Sequence, residues 1–132
     1  MQFYNLIICH VLKMDILKYL YEGRISEDQA CDIFDRIVDA FHAGEFETSD
    51  NGTLLGIPFE SLFGMDNYEF TAKCHGVPLS IVAQWRYQGW PDICCDTNQQ
   101  IDYRNDHWLA KEIENGKYGL MKLYKFIILT SH

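Results

Sequence analysis

The amino-acid sequence predicts an α+β fold. Four or five helices occupy its N-terminal half, two of them in a helix-turn-helix-like corner, and a small antiparallel β-hairpin sheet closes its C-terminal end. Three observations carry that expectation. Apolar residues recur at helical spacing at Ile16, Leu17 and Leu20 and again from Ala30 to Phe41, as one face of a helix requires. Beyond Gly89 the chain turns to β-branched and aromatic runs around Asn115-Gly116, a two-residue hairpin signal. Helices precede strands rather than alternating with them, which argues against a wound parallel sheet.

Residues 14–22 place Ile16, Leu17 and Leu20 on one helical face, with Gly23 as the stop. In the next helix Ile25 is a hydrophobic staple, Ser26 the N-cap, and Gln29 closes a capping box. Ala30, Ile33, Phe34, Ile37, Val38 and Phe41 then draw one apolar stripe, with Gly44 at C′. Asp50-Asn51-Gly52 marks a turn, in a short hairpin or loop, between Phe46 and Leu54/Leu55. Pro58 opens a brief helix through Leu62 and Phe63. Asp66 caps another, with Glu69 at its N3 position, and Gly76 ends it. Pro78 suits the first turn of the helix from Leu79 to about Tyr87. Residues 101–103 read as a short strand. The hairpin arms are 108–113 and 118–123, the second extended through 124–129. No repeat or linker interrupts the chain, so a single domain over 1–132 is expected. Met14 is an alternative start that would leave 1–13 as an N-terminal extension.

Eight Phe, eight Tyr and three Trp in 132 residues exclude a disordered chain. Eleven basic against nineteen acidic residues give a net charge of −8. Such a surface repels phosphate and anionic lipid, so neither nucleic acid nor membrane is an expected partner, and a basic protein is the electrostatic match. The longest apolar run, Leu6 to Cys9 continued by Val11 and Leu12, falls far short of the ~20 residues that span a bilayer, and no signal-peptide pattern surrounds it. Five scattered cysteines (Cys9, Cys31, Cys74, Cys94, Cys95) do not form a disulfide framework. A reduced, cytoplasmic protein is expected.

Three chemistries bear on particular residues. Ala72, Gly76, Val77, Val82 and Trp85 have the spacing of a helix-turn-helix, but the second helix carries one charge, Arg86, where DNA recognition needs a basic outer face. A packed helical corner is the favoured reading, and a DNA-binding regulator is the alternative function. The adjacent Cys94 and Cys95 cannot give the C-x2-C bite of a zinc site, and His75, His107 and the nearby aspartates lie at no ligand-like spacing. No nucleophile elbow or phosphate-cradling glycine loop is present. Catalytic residues, a metal and a cofactor are therefore not expected.

The run from Tyr68 to Pro91 contains Glu69-Phe-Thr-Ala, His75-Gly-Val-Pro-Leu and Trp85-Arg-Tyr-Gln-Gly-Trp-Pro. After it come a cysteine, Ile101-Asp-Tyr and a hairpin ending Gly119-Leu-Met-Lys-Leu. This stretch resembles a small bacterial family with the pattern E-W/F-T-A … H-G-x-x-L … A-x-W-R-Y-x-G-W-P … C-x-x-C-G … I-D-Y … G-W. Members of such families behave as immunity proteins of polymorphic or contact-dependent toxin systems. The resemblance spans roughly 54–123 and departs from the pattern at one place. Cys94-Cys95-Asp96-Thr97-Asn98 stands where the family has C-x-x-C-G, which puts any metal-stabilised loop in doubt. Trp85, Tyr87, Trp90 and Pro91 are expected to form an aromatic joint between helices and sheet, with Arg86 stacked or ion-paired there.

What the resemblance implies, and the charge suits, is an immunity protein that binds a basic toxin, most plausibly a nuclease domain, and blocks its phosphate-binding surface. Two acidic surfaces suit that role. One is the ridge Asp28, Asp32, Asp35 and Asp39, opposite the apolar stripe of its helix, which reads either as a solvated face or as a docking surface. The other runs from Asp92 to Asp106: Asp92, Asp96, Asp102 and Asp106, with Trp90 and Tyr103 as anchors. Binding energy concentrates in aromatic and charged residues, which favours the second. The C-terminal hairpin is a further candidate edge, guarded by Lys111, Lys117, Lys122 and Lys125.

Overall fold

A computed structural model describes residues 15–42 and 59–123. The expected extension, the Asp50-Asn51-Gly52 turn, Pro58, Gly44 and the 124–129 continuation lie outside the described residues. The chain divides into two compact units, Met1–Asn67 and Tyr68–His132.

In the first unit, α1 (Ile16–Tyr21) starts because the Asp15 carboxylate accepts the Lys18 N–H at 3.1 Å. It buries Ile16 and Leu17 and gives way to Gly23 at φ +76°, a conformation glycine adopts without strain. Helix α2 (Glu27–His42) opens on the expected capping box. Gln29 N–H donates to Ser26 Oγ at 3.1 Å and Ser26 N–H to Gln29 Oε1 at 2.8 Å. Its stripe buries Ala30, Phe34 and Ile37. Phe34 stacks on Phe63 of the 3-10 segment Phe59–Phe63 with centroids 4.2 Å apart, and Phe41 meets Phe59 at 4.5 Å.

The second unit is α+β in itself. Helices α3 (Asn67–Cys74) and α4 (Leu79–Gln88) form the corner, and strands β1 (Trp108–Glu114) and β2 (Lys117–Lys122) form an antiparallel pair. Among the described residues four α-helices thus precede a two-stranded antiparallel sheet, as the sequence predicts. Gly76, at φ +102°, turns the corner, and Val77 N–H donates back to Ala72 O at 3.2 Å. Ala72, Val77, Val82 and Trp85 are buried there. The two-residue turn Asn115-Gly116 joins Glu114 to Lys117, and a bulge at Ile113 breaks the register. A β-carbon on Gly119 would meet Ile113 Cδ1 at 2.5 Å, so this glycine admits the bulged side chain over the sheet.

One element differs from expectation. Residues 101–103 are not a strand: the Asp102 carboxylate accepts Arg104 N–H and the Asn105 amide, which folds the chain into a turn. The bridge forms just before it, between Ile93 and Gln100. No helix among the described residues is long and apolar enough to cross a membrane.

Candidate functional site

Both acidic surfaces can now be placed. On α2 the four ridge aspartates lie at successive steps of four, three and four residues, which packs them into about 60° of arc and about 17 Å of helix. Asp28, Asp32, Asp35 and Asp39 are all exposed. Arg36 reaches Asp32 at 3.0 Å; Asp28, Asp35 and Asp39 have no ion-pair partner among the described residues. Glu27 adds a fifth acid to the helix against that one arginine.

The segment from Asp92 to Asp106 is organised differently. Asp96 pairs with Lys111 at 3.0 Å. Asp102 is a turn former, held below the usual carboxylate range by the Asn105 amide, by Arg104 N–H and by the Arg104 charge. Asp106 accepts the Asp102 N–H at 2.8 Å and lies 3.8 Å from Lys122 Nζ. Asp92 is exposed, and its backbone carbonyl takes Ile101 N–H. The aromatic pair is equally engaged. Trp90 stacks on Tyr103 at 4.1 Å and 6°, and tilts against Trp85 and Trp108 at 5.1 and 5.8 Å. That cluster is the expected joint between helices and sheet, except that Tyr87 stays largely exposed beneath Arg86. The hairpin lysines are engaged as well, Lys117 with Glu114 and Lys122 with Asp106.

Three arrangements were invisible in the sequence. Glu69 is buried and grips Arg86 with both oxygens, at 2.6 and 2.8 Å. This answers whether Arg86 is stacked or ion-paired: it is paired, with Tyr87 beside it. It also commits the one charge of α4, leaving the corner no other basic residue on that helix with which to meet a phosphate. The second arrangement surrounds Cys94, which is fully buried. Burial opposes its thiolate, but bonds from the Thr97 side chain and from the backbone N–H groups of Lys122, Asp96 and Thr97 outweigh it and bring the thiol down to about 7. The chain leaves this cradle through Asn98 at φ +59°, in the left-handed region that asparagine tolerates better than most residues. Cys95 is pushed up, by its own burial and by Asp96. The third is His75, whose ring reaches β1.

The described cysteines are free thiols, and no group of three or more potential ligands is placed to hold a metal ion among the described residues. No family model, curated protein or solved structure matches the chain.

Proposed function

We propose that the protein binds and neutralises a cationic partner protein, in the manner of an immunity protein that covers the phosphate-binding surface of a nuclease toxin, and that α2 makes the contact. One observation supports this above the others: the α2 ridge holds four exposed aspartates of one sign along one line, and among the described residues only Asp32 of them has an ion-pair partner. Like charges at this spacing cost a helix a few tenths of a kcal/mol per pair, and a positive surface would turn that cost into attraction. The carboxylates between 92 and 106 are less suited, because Asp96, Asp102 and Asp106 would have to give up lysines or turn bonds first.

The reading is tested with the basic nuclease domain of a toxin encoded beside this gene. The wild-type chain should suppress its cleavage of DNA or RNA at equimolar ratio, and the variant D28N/D32N/D35N/D39N should need a large excess. Equal potency of the two proteins contradicts the assignment to α2. Tight retention of the chain on immobilised DNA at moderate salt would instead favour a regulator built on the α3–α4 corner.

A further inference from the structure

We propose that His75 is a pH-gated latch holding the α3–α4 corner to the outer edge of β1. His75 Nδ1 accepts the Ala110 N–H at 3.0 Å, across 35 residues of sequence, and its ring meets Trp108 edge-on with centroids 5.7 Å apart. Ala110 faces Leu120 across the hairpin, yet its N–H is spent on the histidine, so that group points away from β2 along the open side of the strand. An Nδ1 that accepts must carry its lone pair, which puts the ring proton on Nε2 and makes the imidazole neutral. The imidazolium has two donors and no acceptor. Taking a proton at Nδ1 therefore sets N–H against N–H, and the latch opens.

His75 is exposed, so solvent protons reach it directly. His75 lies in the turn just after α3, and the titratable groups nearest it along the chain are Lys73 and Cys74. On the sheet, alternation puts Glu112 on the Ala110 face, with Tyr118 opposite it and Lys122 opposite Trp108 in register, the Lys122 ammonium turned to Asp106 and the Gln100 carbonyl. The Glu112 carboxylate is drawn toward the hairpin turn by Gly116 N–H at 3.1 Å. The first turn of α4 carries no charge. Acid thus acts on the histidine, and its product is a bared edge N–H on β1, the kind of group that pairs with an added strand.

The test uses the full chain labelled with ¹⁵N. At pH 8 the imidazole nitrogens of His75 should report the Nε2–H tautomer. Ala110 amide exchange, corrected for its intrinsic pH dependence, should quicken about tenfold between pH 8 and pH 5, the scale of one lost hydrogen bond. H75N places a carbonyl oxygen near the position of Nδ1 and does not titrate, so its corrected Ala110 exchange should stay flat. An Nδ1–H tautomer in the wild type, or the same pH profile in H75N, overturns the proposal. The wild-type exchange profile decides it even if the variant fails to fold: a corrected Ala110 rate that stays flat from pH 8 to pH 5 overturns the latch.

Discussion

The α2 ridge and the segment from Asp92 to Asp106 each contain four aspartates, and in sequence they look interchangeable. Their structures part them. On the ridge a regular helix repeats one side-chain direction, so four carboxylates face solvent together with one arginine among them. In the segment there is no regular element between the Ile93–Gln100 bridge and β1, and backbone N–H groups lack ladder partners. Aspartates supply the missing acceptors, at Arg104 and Asp102, and lysines of the hairpin neutralise Asp96 and Asp106. Acidic residues in a loop tend to be consumed by the fold, whereas those on the outer face of a helix remain available.

That contrast between committed and available carboxylates can be attacked from its strongest end. Glu69 is the most committed acid described. Removing its partner in R86M should cost about 3 kcal/mol of stability in urea unfolding, because a buried carboxylate loses the guanidinium that grips both its oxygens, and E69L/R86M should recover most of the loss. An R86M variant as stable as wild type would break the distinction at once. Next, N98A should cost about 1 kcal/mol, since alanine resists the left-handed conformation that closes the Cys94 cradle. A smaller effect is expected from pH. A thiol whose folded value is lowered to about 7 stabilises the fold fully above the ordinary thiol range. That contribution is lost as pH falls through 7, so C94S should flatten the rise in stability on the alkaline side of neutrality. By the same sign Asp102 contributes above the ordinary carboxylate range and loses its contribution in acid. D102N should weaken the fold at pH 7 and blunt its acid unfolding. Smallest of all, D28N/D32N/D35N/D39N should leave stability unchanged or raise it by a few tenths of a kcal/mol, through relief of like-charge neighbours.

What could be seen in the sequence was local. Ser26 with Gln29, Gly76 before Val77 and Asn115-Gly116 each act within a few residues, so cap, corner and hairpin turn were all readable from spacing. The strand expected at 101–103 failed for a local reason too: Asp102 prefers to bond its own backbone, and that preference overrode the pattern of Ile101 and Tyr103. The site residues were harder. Arg86 and Glu69 lie 17 residues apart, Lys111 and Asp96 15, and Lys122 and Cys94 28. No periodicity links such pairs, so nothing marked which carboxylates of the 92–106 segment would be used up. The α2 ridge was legible because a helix fixes both its direction and its exposure.

The most direct test of the central claim is the association rate with a purified basic nuclease domain taken as the proposed cationic partner, measured by stopped flow at low and at physiological salt. Wild type should associate fast with a steep loss as salt rises. D28N/D32N/D35N/D39N should associate about tenfold more slowly at low salt with a shallower salt dependence. D92N/D96N should match wild type. Unchanged kinetics in the ridge variant, or the larger loss in D92N/D96N, would contradict the account.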